Sequence, residues 1–181
     1  MVTYVFAILI AIVVLYRFEK SRIPIQPLVQ LLALAVIGRW LFMTIPNVQP
    51  TTAIIMLTAL LVSLNGAAIL TLFVPILSGL LLGIGPFVFF QFLGWLLVVV
   101  LVHLFRPILL RSTILFLLLG LLSGFLYGWT TNLAFIEVVG TDVVKLFLLS
   151  FPFDLAHGIS NVVFLIMIRP LYERIFLRQL G

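Results

Sequence analysis

Long apolar stretches separated by short basic clusters are the feature that most constrains this chain. Eight of its ten Lys and Arg residues lie in three clusters: Arg17/Lys20/Arg22, Arg106/Arg111 and Arg169/Arg174/Arg178. Of the 181 residues, 65% are hydrophobic and only 8% are charged. A water-soluble fold of this length could not bury so much apolar surface. The composition therefore predicts an all-α integral membrane protein.

The apolar sequence divides into seven segments at proline, glycine and charged positions. The segments are 2–16, 24–45, 52–64, 67–84, 87–105, 109–129 and 143–168. Asn65-Gly66 is a turn signal between the third and the fourth, and Pro170 follows the last. The first segment is not expected to be a signal peptide, because its positive charge follows the apolar run instead of preceding it. No linker interrupts the chain, so residues 1–181 are predicted to form one domain.

The basic clusters also predict the orientation in the membrane. Cytoplasmic loops of membrane proteins carry an excess of Lys and Arg. Seven spans, with the N-terminus outside and the C-terminus in the cytoplasm, bring all three clusters to the inner side and put Glu137 and Asp142 outside. Six or eight spans would split the clusters. Residues 169–181 then form a basic cytoplasmic tail, and nothing in the charge pattern predicts a nucleic-acid partner.

Small residues four apart allow membrane helices to approach closely. The longest such run is Gly120-x3-Gly124-x3-Gly128. We interpret it as a contact inside one helical bundle, in preference to a docking face for a partner.

Ionisable residues within the spans are candidates for function, because a charge near the bilayer centre costs about 2.5–3.5 kcal/mol. Arg39 lies in the outer part of the second span. Asp154, His157 and Asn161 lie in the last span, on one helix face by their spacing. Arg39 and Asp154 are predicted either to pair and fix the helix register or to face a ligand. Two candidate ligands on one helix are a weak metal signal, so neither a metal site nor a cofactor is predicted.

Two uncharged polar segments are predicted at the outer surface. Residues 46–52, Pro-Asn-Val-Gln-Pro-Thr-Thr, carry amide groups in a rigid loop. Gln91 and Trp95 follow Gly85-Pro86 at the start of the fifth span. Aromatic rings with a few amide groups are typical of an interfacial belt or of the wall of a ligand pocket.

The sequence contains no HExxH, GxSxG or Walker A motif and no cysteine. We therefore predict a protein that is not an enzyme and that draws energy from a gradient or from another subunit.

Four stretches resemble the substrate-binding S components of energy-coupling factor (ECF) vitamin transporters. They are residues 35–42, residues 45–52, the stretch from Gly85-Pro86 to Trp95, and Pro152-Phe153-Asp154 with His157 and Asn161. Within that group the pattern is most similar to the cobalamin type. The resemblance implies a six-helix core over residues 24–168 and an added N-terminal helix over 2–16. This sequence departs from the group at the Ala-x3-Ala coupling motif, because only Ala35 and Gly38 are small residues there.

The resemblance also implies a function and partners. S components of bacterial cell membranes bind a vitamin from outside, associate with a membrane coupling subunit and two cytoplasmic ATPases, and topple to deliver the vitamin inward. By this resemblance the vitamin is cobalamin, with riboflavin, folate, pantothenate or a queuosine precursor as alternatives. A membrane assembly protein without a ligand and a gradient-driven carrier are the rival functions.

The hypothesis assigns residues to two surfaces. Amide groups would contact the vitamin, flat aromatic rings would wall the pocket, Arg39 would face a phosphate, and His157 is a candidate cobalt ligand. The predicted substrate-binding residues are Arg39, Asn47, Gln49, Thr51, Gln91, Trp95, Tyr127, Asp154 and His157. The predicted docking residues are Ala35, Gly38 and Arg174, the last being part of the basic tail.

Overall fold

The computed structural model describes residues 2–21, 23–136 and 142–176, and all regular secondary structure in these ranges is helical. Arg22, Glu137 and Arg178, which contributed to the predicted topology, lie outside the described residues. The helices are α1 (Val2–Glu19), α2 (Ile25–Leu41), α3 (Thr51–Leu57), α4 (Leu64–Leu82), α5 (Phe87–Leu104), α6 (Arg106–Arg111), α7 (Thr113–Asn132) and α8 (Val143–Phe176).

The helix lengths confirm an all-α membrane protein in its general character. In the described ranges, four helices are long and apolar enough to cross a membrane: Leu64–Leu82, Phe87–Leu104, Thr113–Phe135 and Val143–Ile175. The apolar helices Ile25–Leu41 and Thr51–Val62 are shorter. Many large apolar side chains on the outside of the bundle are exposed, among them Leu80, Leu122 and Leu148. These side chains suit contact with lipid.

The short helix α3 is the centre of the bundle. It packs against α2, α4, α5, α7 and α8, and every residue from Thr51 to Leu61 is buried. A π-helical turn, Thr58–Val62, continues it towards the basic end of the protein. There the Arg106 Nε donates to the Leu60 carbonyl oxygen at 3.0 Å, which satisfies a backbone acceptor at a helix end.

Two predicted helix boundaries were wrong. The break before α4 lies at Ser63, whose Oγ accepts a hydrogen bond from the Gly66 backbone N–H. Asn65 and Gly66 therefore belong to the first turn of α4. The Ser63 side chain caps the helix before the Asn-Gly pair, as Ser commonly does at this position. Pro170 does not end α8, which runs on to Phe176. Beyond the proline, the buried Tyr172 hydroxyl donates to the Ile54 carbonyl oxygen of α3, and this contact holds the continued helix in place.

The described members of the three basic clusters lie at one end of the bundle. The Arg17 carbonyl oxygen accepts from Asn65 at the start of α4, and the Arg169 Nη1 donates to Thr113 at the start of α7. These two contacts and that of Arg106 with Leu60 connect the helix ends that the predicted topology puts on the inner side of the membrane.

The glycine run in α7 forms a contact with α8, which agrees with the interpretation of a contact inside the bundle. A Cβ atom at Gly124 would collide with the backbone of Gly158, whose Cα would be 2.6 Å away. At Gly120 the atom nearest to a Cβ would be the Cδ1 at the end of the Leu165 side chain, at 2.5 Å, and the next atoms would be 3.9 Å away. The two backbones therefore approach most closely at Gly124 and Gly158.

This difference gives a first prediction. We expect Gly124→Ala to destabilise the protein by about 1–3 kcal/mol, since a backbone cannot move aside as a side chain can. Gly120→Ala is the matched control, with little change in stability, because Leu165 can rotate and alanine favours a helix by about 0.5–1 kcal/mol over glycine. Melting temperatures of both variants in the same detergent would test this, and equal values would contradict the proposed backbone contact.

Candidate functional site

A polar cavity of about 360 Å³ opens at the end of the bundle away from the basic clusters. Five parts of the chain form it: residues 39–49, Leu82 at the end of α4, Gln91 in α5, the end of α7 and the start of α8. The polar side chains in its wall are Arg39, Asn47, Gln49, Gln91, Tyr127, Thr131, Asn132, Ser150 and Asp154. A polar cavity inside an apolar bundle is a typical position for a ligand site.

Arg39 lies in the last turn of α2 and is 9% exposed. Its guanidinium makes three hydrogen bonds, all to neutral groups. Nε donates to the Gln49 Oε1 at 3.0 Å, and Nη1 donates to the Ser78 Oγ at 2.7 Å and to the Gln91 Oε1 at 3.3 Å. The guanidinium also lies over the Trp95 ring, 5.2 Å from its centroid. These contacts fix the position of the cation at the cavity wall.

Asp154 lines the same cavity but does not pair with Arg39, so the predicted alternative of an Arg39–Asp154 ion pair was wrong. The only salt bridge within 4.0 Å among the described residues joins Arg169 and Glu173. The Asp154 Oδ2 accepts instead from the Ser150 Oγ at 2.7 Å, one turn earlier in α8. Its Oδ1 packs against Gly128 of α7, where there is no side chain to fill the space. The cavity therefore holds two opposite charges that do not pair with each other.

The loop between α2 and α3 covers one side of the cavity and is fastened to α8. The Gln49 backbone N–H donates to the Ser160 Oγ at 3.0 Å, and that hydroxyl donates back to the Gln49 carbonyl oxygen at 3.3 Å. Asn47 has a φ of 59°, a left-handed conformation that Asn tolerates better than most residues. Its side chain lines the cavity.

Beneath the cavity, a buried group of aromatic and polar side chains supports Arg39. The Trp95 ring stacks on Tyr127 at 4.7 Å, and Tyr127 meets His157 edge-on at 4.9 Å. The Thr52 hydroxyl connects the group: it accepts from the Trp95 Nε1 at 2.9 Å and is paired with the His157 Nε2 at 2.9 Å. His157 and Trp95 are 1% and 0% exposed, so their direct role is to support the wall.

Six of the nine predicted substrate-binding residues thus line one cavity: Arg39, Asn47, Gln49, Gln91, Tyr127 and Asp154. Thr51, Trp95 and His157 lie behind the wall, and the Thr51 Oγ1 donates to the Ala35 carbonyl oxygen. In the described ranges no group of three His, Asp or Glu side chains comes together as a metal site would require.

Sequence reasoning missed several polar residues of the site. Ser150 was detectable, because it precedes Asp154 by four residues and so shares its helix face. Asn132 ends α7 just after Gly128 and lines the cavity. Ser78 and Ser160, which hold Arg39 and the loop, carry no pattern of their own. A single hydroxyl in an apolar helix is usually bonded to its own backbone.

The three predicted docking residues lie in different environments. Ala35 is 0% exposed, and a side chain at Gly38 would collide with Pro50. Both therefore pack inside the bundle and do not form a free surface, because the turn into α3 covers this face of α2. Arg174 is exposed near the end of α8.

No family model, no curated protein and no solved structure matches this chain.

The support beneath the cavity gives a second prediction. We expect Thr52→Val to destabilise the protein by about 1–3 kcal/mol, because the buried Trp95 and His157 side chains would each lose a hydrogen-bond partner. Thr71→Val is the control: this threonine is also fully buried, but its hydroxyl donates only to the Ala68 carbonyl oxygen three residues earlier. Thermal unfolding in detergent would compare them, and an equal loss in the two variants would contradict the connecting role of Thr52.

Proposed function

We propose that this protein is the substrate-binding subunit of an ATP-driven uptake transporter of the ECF type, and that it captures a vitamin in the cavity at Arg39. In this proposal α2, α3, α4, α5, α7 and α8 supply the six-helix core of an S component, the short α6 connects α5 to α7, and α1 is the additional N-terminal helix. Hydrolysis of ATP takes place in partner subunits that join through a membrane coupling subunit.

The observation that carries the proposal is the convergence of distant polar residues on one cavity. Arg39, Gln49, Gln91, Tyr127 and Asp154 come from four separate parts of the chain, and their side chains line a space of about 360 Å³. A protein that only packed against partners would gain nothing from an arginine and an aspartate held apart in its membrane-embedded part. Burying such groups is costly unless they serve a ligand or each other.

The basic clusters support an outward-facing cavity. The cavity opens at the opposite end of the bundle from Arg17, Arg106 and Arg169. The positive-inside rule favours a cytoplasmic position for these residues, so in this proposal for a bacterial cell membrane the cavity faces outward and receives the ligand from there.

The cavity opens to the surface, so its volume of about 360 Å³ does not limit the ligand to a molecule that fits entirely inside it. Cobalamin is the vitamin that the sequence resemblance favours. Riboflavin, folate, pantothenate and a queuosine precursor are the alternatives.

A binding experiment tests the proposal. The purified protein is titrated with labelled pantothenate, riboflavin, folate, a queuosine precursor and cobalamin, and we expect saturable binding of one of them. Gln91→Ala should weaken that binding about 5- to 10-fold, since a ligand hydrogen bond contributes about 1 kcal/mol. Gln30→Ala is the matched control, because Gln30 is an exposed residue of α2 outside the cavity.

Partner capture tests the transporter assignment separately. We expect a coupling subunit and ATPases to copurify with the tagged protein from its native membrane in a mild detergent. Binding of no vitamin, together with copurification of no ATPase, would favour the rival function of a membrane assembly protein.

A further inference from the structure

We infer that the ligand of this cavity carries a single carboxylate, which binds to the guanidinium of Arg39. The inference rests on the proposed function, since it takes the cavity as the ligand site, and it narrows the ligands to monocarboxylates.

Arg39 is a buried cation with unused donor capacity. A guanidinium has five N–H groups and no acceptor. Three of them are used, the one on Nε and the two on Nη1. The Nη2 group has no acceptor among the described residues. No carboxylate in those residues lies within salt-bridge distance of Arg39, so the described part of the chain leaves this charge without a counter-ion.

The two glutamines that hold Arg39 add further donors. Because a guanidinium only donates hydrogen bonds, each glutamine must turn its amide oxygen towards Arg39. The Nε2 groups of Gln49 and Gln91 therefore point away from the guanidinium, and neither has an acceptor in the described part of the chain. The Asn132 Nδ2, in the wall of the same cavity, is buried without a hydrogen-bond partner.

A carboxylate fits this arrangement better than a neutral ligand. Four side chains around the cavity offer N–H groups, and one of these side chains carries a full positive charge. A planar carboxylate supplies two oxygens with several lone pairs and neutralises the charge, and hydrogen bonds between charged groups are about twice as strong as neutral ones. A neutral carbonyl would accept hydrogen bonds but would leave the cation uncompensated in an apolar surrounding.

Asp154 lines the same cavity and limits the ligand to one such group. Its carboxylate accepts a hydrogen bond from the Ser150 hydroxyl and pairs with no cation among the described residues. A second anionic group on the ligand would meet the Asp154 charge, whereas a hydroxyl or amide N–H would donate to it. A ligand with one carboxylate and with hydroxyl or amide groups elsewhere matches both Arg39 and Asp154.

The test uses pairs of ligands that differ only in this group. Pantothenate is compared with its neutral alcohol pantothenol, and nicotinate with nicotinamide. The full chain is reconstituted in phosphatidylcholine nanodiscs, and binding is followed by the fluorescence of Trp95, which Arg39 covers, in a Trp40→Phe, Trp129→Phe background. We expect at least one carboxylate to bind about 10- to 100-fold more tightly than its neutral partner, as charged hydrogen bonds would give.

Variants assign that preference to Arg39. Arg39→Gln should abolish the preference for the carboxylate, Arg39→Lys should keep part of it, and Arg111→Gln, an exposed arginine remote from the cavity, should leave it unchanged. If no carboxylate binds more tightly than its neutral partner, or if Arg39→Gln keeps the preference, the inference is overturned. It is also overturned if phosphatidylglycerol in the nanodiscs abolishes carboxylate binding in the wild-type protein, because the anion at Arg39 would then be a lipid phosphate.

The outcome separates this inference from the proposed function. Tight binding of a neutral vitamin that is unaffected by Arg39→Gln would overturn the carboxylate and leave vitamin uptake standing. Carboxylate binding that depends on Arg39, without copurification of an ATPase, would support the carboxylate and count against an ECF subunit.

Discussion

Polar groups inside an apolar bundle must find partners within the protein, and this requirement organises the whole molecule. The central helix α3 and the π-helical turn that follows it are buried along Thr51–Leu61, so their polar side chains are paired with neighbouring helices. Thr51 bonds to α2, Thr52 to α5 and α8, and Thr58 pairs with Tyr172 of α8. A lost partner has no water to replace it, so these bonds fix which helices are neighbours.

In the described part of the chain, the cavity is a place where the requirement is met incompletely. Arg39 is held by Gln49, Ser78 and Gln91, and every one of these partners is neutral. Beneath Arg39 lies the buried group of Trp95, Tyr127 and Thr52. These side chains fill the space below the cation and hold it at the cavity wall. A polar network with unused donors is expensive to maintain in a membrane, and a ligand that completes it would gain correspondingly.

The sequence predicted the apolar helical class and most of the cavity, because both depend on rare residues in a plain background. Polar residues such as an arginine, an aspartate and a few amides are easily recognised in a sequence that is mostly apolar. The predicted topology alone puts the helix ends that carry them on the same side of the membrane. What the sequence could not predict was pairing. Whether Arg39 meets Asp154 or Ser78 depends on helix rotation, and Ser78, Ser160 and Asn132 look like ordinary helix residues. The burial of Ala35 and Gly38 likewise depends on the turn at Pro50, which no spacing rule reveals.

Gly128 determines the position of the Asp154 carboxylate because it has no side chain. The Asp154 carboxylate occupies the space that a Cβ atom at position 128 would fill. Any larger residue there would push the carboxylate out of its present position without touching Arg39 or the glutamines. The charge preference of one wall of the cavity is therefore set from a neighbouring helix.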